Sequence, residues 1–298
     1  MTSDPKKFPL LRLPTLAAEQ LIRSMEVVET FIFSLTSTKA KTLLNYSLPK
    51  NYAHISCSLH EDKTFDILFC PGRTGGNFLR LIQKQEYHFA RAGGYNSYKI
   101  HNIQCELFLP RFGAIRIISD RPFKVVAEAF LTHLAECFHT PKISMEFGKV
   151  TTPRAALGLL NHSKSLNLPM ERISLKTTNT PPEVYRAFLS EGPSISGHLF
   201  LSSISTGEFQ YSPSEVFKLD RFYVEDGHWV HPQDFMECRS IEINNITANP
   251  HMYSANAHRL NEFFKIWQRS SCRLEYLQIT TSHSEELNFE EVFMGLNG

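Results

Sequence analysis

The chain has 298 residues, 42% of them hydrophobic, with 31 Lys and Arg set against 30 Asp and Glu for a net charge of +1. That length accommodates one large domain or two ordinary ones with real cores, and the charge balance argues against a protein whose main work is gripping a phosphate backbone. Only 14 glycines, with no Gly-Lys-Ser/Thr loop and no Gly-x-Gly-x-x-Gly turn, weaken nucleotide binding, and no run approaches the ~18–20 apolar residues that cross a membrane. The polar start, Met1-Thr-Ser-Asp-Pro-Lys-Lys, does not read as a signal peptide. The expectation is a soluble intracellular protein of cytoplasm or nucleus, without nucleic acid, membrane or cofactor. Its cysteines (Cys57, Cys70, Cys105, Cys137, Cys238 and Cys272) form no C-x-x-C pair, which suits buried thiols better than a disulfide framework or a zinc ribbon.

Residues 7–45 read as compact and helical. Phe8-Pro9-Leu10-Leu11-Arg12-Leu13-Pro14 is an apolar run that its prolines keep extended. Thr15 is the expected N-cap of a helix carrying Ala17, Ala18, Leu21, Ile22 and Met25 at i, i+3, i+4 spacing. A second helix holds Val28, Phe31 and Ile32. A third opens at Ser37, with Lys39 and Lys41 outward and Leu43 and Leu44 inward. Three helices of this size are too small to be secure alone, so either a partner or the rest of the chain completes them.

The run Phe8 to Pro14, the helix ending at Met25, and Glu29-Thr-Phe31-Ile-Phe-Ser34-Leu35-Thr-Ser37-Thr-Lys39-Ala-Lys41 together resemble the N-terminal F-box of the nematode-type F-box family. The resemblance implies docking on the Skp-type adaptor subunit of a cullin–RING ubiquitin ligase. The residues it carries over are Phe8, Pro9, Leu10, Leu11, Leu13, Pro14, Met25, Phe31, Ser34, Leu35, Ser37 and Lys39. For Leu21, Ile22 and Phe31 the competing reading is packing against residues 46–110. A proline-flanked arm builds an internal core poorly, which favours docking for Pro9, Leu10 and Pro14.

Residues 46–118 form a β-rich linking segment. Ala53–Leu59 alternates apolar and polar, Thr64–Cys70 is a second strand ended by Pro71-Gly72, and Glu106–Leu109 and Ala114–Ile118 complete a small antiparallel sheet. Arg73-Thr-Gly-Gly76 is a turn lacking the residues of a phosphate cradle. Arg80–Lys84 and His88–Arg91 read as solvated basic faces.

Residues 119–285 carry the most regular pattern. Proline follows a polar or capping residue at Arg121-Pro122, Thr152-Pro153, Thr180-Pro181, Ser212-Pro213 and His231-Pro232, the placement favoured at helix starts. Strand-like runs alternate with these sites: Ile143–Phe147, Ile173–Leu175, Leu199–Leu201, Phe222–Val224, Ile241–Ile243 and Leu274–Ile279. A helix–strand unit repeated every ~20–30 residues suggests an α/β fold shaped as an irregular leucine-rich-repeat-like solenoid, parallel strands on one face and helices on the other. Trp229–Cys238, Ser240–Ile243, Leu260–Trp267 and Arg273–Leu277 are similar to the F-box-associated region, second type, of the same family. That region's implied role is recruiting an unknown target protein.

Other constellations have two readings each. His228-Trp229-Val230-His231 with Asp226 and Asp234 is either a metal site or a Trp-anchored turn. Cys57 or Cys70 with His54, His60 or His88 offers a Cys–His nucleophile, although no sharp turn or oxyanion motif accompanies either cysteine. Phe263, Phe264 and Trp267 at helical spacing read as core before binding stripe. Arg154, Arg172, Arg186 and Arg221 fall in different repeats, so no phosphate-reading cluster is expected. No catalytic, metal-binding or cofactor residue is assigned. The alternative to a ligase subunit is a repeat-type interaction scaffold with a degenerate F-box.

Overall fold

A computed structural model describes residues 13–50, 52–60, 64–70, 77–83, 96–108, 115–139, 141–202, 209–244, 253–280 and 289–296. The class is α/β, and the chain divides into two compact units. One comprises residues to Cys57, Lys63–Ile143 and His162–Leu168; the other comprises Ser58–Asp62, Ser144–Asn161 and Pro169 onward.

The first unit opens with α1 (Thr15–Ser24), α2 (Val27–Ser34) and α3 (Thr38–Ser47). Pro14, not Thr15, occupies the N-cap of α1, its extended backbone feeding straight into the first turn. Glu26 and Glu29 close a reciprocal capping box on α2, with the Glu26 N–H donating to Glu29 Oε2 at 2.9 Å. Ser37 caps α3 as its spacing requires, accepting from the Ala40 N–H at 3.1 Å.

The strands β1 (His54–His60), β2 (Thr64–Cys70), β3 (Asn77–Gln83), β4 (Asn96–Ile100), β5 (Ile103–Phe108) and β6 (Ile115–Ser119) lie in the order β1-β2-β3-β6-β5-β4. The expected sheet was wholly antiparallel. Instead β3 inserts between β2 and β6 and pairs with β6 in parallel, Leu81 opposite Ile117. By its sequence the β3 segment carries no strand signal, because Arg80 gives it the pattern of a solvated basic face. Across the strand pair, however, Arg80 meets Asp66 through two hydrogen bonds of 2.6 and 2.8 Å, which neutralises that face. The fully buried Leu79 and Leu81 supply its other face. Helix α4 (Phe123–Cys137) contributes Phe130, Leu131 and Leu134 to the core that Ile22, Phe31 and Leu44 enter from α1, α2 and α3. The sequence boundary at 118/119 falls within β6, inside one compact unit that also holds α4.

The strands β7 (Lys142–Phe147), which enters the second unit at Ser144, β8 (Met170–Leu175), β9 (His198–Leu201), β10 (Arg221–Val224), β11 (Ser240–Ile243) and β12 (Tyr276–Ile279) follow one another in sequence order. From β8 to β12 every pairing is parallel. Register stacks Ile173, Leu199, Phe222, Ile241 and Leu277 in one row, and Leu175, Leu201, Val224, Ile243 and Ile279 in the next. The members of these rows on β8 to β11 are fully buried. Proline-started helices hold for α4, α5 (Pro153–Ser165) and α6 (Pro182–Ser190). After Pro232 only a 3-10 turn forms, Pro232–Phe235, and after Pro213 no helix forms at all. In that stretch Phe209, Phe217 and Leu219 fill the core directly, each no more than 1% exposed. Gly192 permits this: a Cβ there would lie 1.8 Å from the Phe217 ring.

Helix α7 (Tyr253–Arg269) precedes β12, and α8 (Phe289–Phe293) packs against α7. Buried Asn261 joins the two helices, its Nδ2 donating to the carbonyls of Val292 (2.8 Å) and Met294 (2.9 Å). The last strand starts at Tyr276, two residues later than expected, with Leu274 buried ahead of it.

Candidate protein-interaction surfaces

Phe8, Pro9, Leu10 and Leu11 lie outside the described residues. Leu13 is half-buried and Pro14 exposed. Met25 ends α1, half-buried, its carbonyl accepting from Tyr52 Oη at 3.1 Å. Phe31 has no exposed surface and sits among Phe130 (5.0 Å between ring centroids), Phe69 (5.6 Å) and His133 (5.7 Å). Ser34 is buried, its Oγ 2.7 Å from His133 Nε2, and Leu35 is buried at the end of α2. Ser37 and Lys39 are exposed.

The twelve residues carried by the resemblance therefore divide. Phe31, Ser34 and Leu35 belong to this chain's own interior, as does Ile22. The remainder of the described set leaves Pro14, Ser37 and Lys39 free of burial, with Leu13 and Met25 partly so. The structure adds Leu16, 76% exposed beside exposed Ala17. Its signal was present: Leu16 falls off the Ala18, Ile22, Met25 stripe and must face away from it. Pro14, Leu16 and Ala17 thus form an exposed apolar edge at the start of α1.

In the second unit, the side of β8–β12 opposite the buried rows carries two further rows. Arg172, His198, Arg221, Ser240 and Tyr276 align in one, and Ser174, Phe200, Tyr223, Glu242 and Gln278 in the next. Parallel strands lie ~4.7–4.9 Å apart, so residues distant in sequence become neighbours. The guanidinium of Arg172 lies 4.6 Å from the Phe200 ring centroid and that of Arg221 5.3 Å from the same ring. Tyr223 adjoins Phe200 at 5.8 Å, and Arg221 pairs with Glu242 at 2.6 Å. Burial, then the Arg172 and Arg221 charges, hold His198 below the ordinary histidine range. Burial and its hydrogen bond to Glu225 push the Tyr223 hydroxyl up to about 12. Asn244 Nδ2 donates to Tyr223 Oη at 3.0 Å, and Thr280 donates to Asn244 Oδ1 at 2.6 Å.

This corrects the expectation that the arginines are dispersed: Arg172 and Arg221 share one ring, because parallel register sets both opposite His198. Tyr276 and the Arg221 side chain remain 50% and 44% exposed. Arginine and aromatic side chains clustered on one partly exposed sheet face are the residue types that dominate protein–protein recognition.

The other constellations take structural places. Trp229 is 1% exposed and packs edge-on against Tyr185, Phe209, Tyr211 and Phe235, an anchored turn. His228 Nδ1 lies 3.0 Å from Asp226 Oδ1, and among the described residues no group of three potential ligands gathers for a metal. Burial pushes the Cys57 thiol up, away from nucleophilic reactivity. Phe263 is core, whereas Phe264 and Trp267 are half-buried and line an apolar groove with Gln268 and Leu296. No described helix is long and apolar enough to cross a membrane. Comparison with family models, curated proteins and solved structures returned no match for this chain.

Proposed function

We propose that the chain is a substrate-receptor subunit of a cullin–RING ubiquitin ligase. In this reading α1–α3 and the arm ahead of them dock on a Skp-type adaptor. Strands β7–β12 with their helices act as a leucine-rich-repeat-like solenoid whose open sheet face holds a target protein. The chain supplies no chemistry of its own; tethering a target raises its effective concentration near the ubiquitin donor. The observation that carries the reading is the exposed Pro14-Leu16-Ala17 edge of a three-helix element whose sequence resembles an F-box. An apolar edge of this kind gains from burial by a partner's helices, about 2 kcal/mol for a leucine side chain.

A pull-down with purified adaptor tests it. Wild type captures the adaptor, and Leu10→Asp/Pro14→Asp does not. Leu16→Asp weakens capture at least tenfold without moving the urea midpoint, since that side chain is already in water. Wild type that stays folded yet captures no adaptor at micromolar concentration sinks the proposal.

A second reading has its own support. Phe31, Ser34 and Leu35, three of the resemblance-bearing residues, are consumed by the interior. That suits a scaffold whose F-box has become a structural part of its host unit. Such a scaffold keeps target binding through Phe200 and Arg221 and shows no adaptor capture.

A further inference from the structure

A polar cavity of about 220 Å³ opens at the junction of α2 and α3, lined by Ser34, Ser37, Thr38, Lys41, Lys99, His101 and His133 together with Leu35. Three elements bring nitrogen groups to it: the Lys41 ammonium from α3, the Lys99 ammonium from β4, and the His101 imidazole from the β4–β5 turn. The turn holds His101 at φ 53°, a left-handed conformation in which few residues other than Gly and Asn are at ease. Ser37 and Thr38 start α3, where the first N–H groups of a helix have no internal partner. Among the described residues, neither Thr38 nor Lys39 finds an acceptor for its backbone N–H.

The charge arrangement is unbalanced. Glu136 reaches two of these groups at once, with Oε2 2.7 Å from Lys41 Nζ and Oε1 3.4 Å from His101 Nδ1. Lys99 has no ion-pair partner among the described residues. His133, 3% exposed, bonds Ser34 through Nε2, and its Nδ1 has no partner. A concave site with surplus positive charge, two hydroxyls and helix-start N–H groups matches a tetrahedral oxyanion, which accepts hydrogen bonds at every oxygen.

We propose that this cavity is a binding site for a phosphate group, with Lys99 and Lys41 as its cationic wall, the His101 imidazole beside them, and the Ser37–Thr38 start of α3 as its hydrogen-bonding floor. The site does not depend on the ligase reading. Glu136 acts as the resident counter-ion that an incoming anion displaces from Lys41 and His101.

The test titrates the full chain with orthophosphate and, separately, with O-phosphoserine at low salt, read by calorimetry and by NMR shifts of the His101 ring. Saturable one-site binding is expected. Lys99→Met and His101→Asn each weaken it about three- to tenfold; Asn retains the turn's backbone preference, so the second variant keeps its fold. Glu136→Gln tightens binding by a similar factor. Lys124→Met, which removes a lysine paired with Glu128 outside the cavity lining, changes nothing. Tighter O-phosphoserine binding assigns the group to a phosphoester, and equal binding assigns it to the free anion; both support the site. Non-saturable binding, indifference to Lys99→Met, or weakening by Glu136→Gln overturns it.

Discussion

Replacing Phe31 by Ala separates the two roles that its sequence position suggests. The ring is 0% exposed, with aromatic neighbours centred 5.0, 5.6 and 5.7 Å away on α4 and β2. Taking a buried phenyl group out of the apolar interior forfeits about 2–3 kcal/mol of transfer free energy. The truncation also leaves roughly 100 Å³, which at ~24 cal/mol per Å³ adds up to about 2 kcal/mol where the walls do not collapse. The walls here come from two different elements, so partial relaxation is expected and the net loss is about 3–5 kcal/mol. Urea unfolding followed by far-UV circular dichroism measures it as a lower midpoint. Phe31→Leu recovers about half of the loss. A Phe31→Ala loss below about 1 kcal/mol, combined with loss of adaptor capture, would refute the assignment of this ring to the interior and return it to the docking surface.

Three further outcomes follow from particular contacts. Burial, then the Lys41 charge, lowers His133 to about 4, against an ordinary value of about 6.5. Above pH 6.5 both states are neutral and stability is unaffected; between 6.5 and 4 the unfolded chain takes up a proton that the fold refuses. Stability should therefore fall by about 3 kcal/mol over that window, and His133→Asn should flatten the urea-midpoint profile. Asn261→Leu leaves the Val292 and Met294 carbonyls without donors, at about 1–3 kcal/mol for each that stays buried; hydrogen exchange of residues 289–296 should rise while the β8–β11 amides stay protected. Gly192→Ala drives a methyl group into the Phe217 ring, so a loss of at least 1–3 kcal/mol is expected, and an unchanged thermal midpoint would contradict the packing described.

Local signals reached far in this chain. Ser37 as a cap, the full span Thr64–Cys70, and the strand at each apolar alternation from Ile143 to Ile279 all lie in short-range pattern, because capping and side-chain alternation are properties of neighbouring residues. Where reading failed, the deciding partner was remote. Arg80 hid β3 because its neutralising Asp66 lies across a strand pair. The proline at 213 promised a helix that never forms, because Phe217 finds burial beside Gly192 and Phe222, and Leu219 is buried as well, without one. The α3 cavity had no sequence signature, since Lys41, Lys99 and His133 meet only through folding.

The sequence alone marked the three-helix segment, the strands β1 and β2, and the alternation of helices and strands from α4 to β12, but not β3, β4 or α8; what it marked depends on periodicity and on the backbone demands of proline and capping residues. Only the tertiary structure decided which apolar residues face inward. Phe31 and Leu16 are both large apolar side chains in the same short helical segment, yet one is wholly enclosed and the other 76% exposed. That difference comes from α4 and β2, which arrive later in the chain and cover one side of the helices. It likewise took parallel register to place Arg172 and Arg221 on a single ring, since pairing between strands, not spacing along them, sets which side chains share a face.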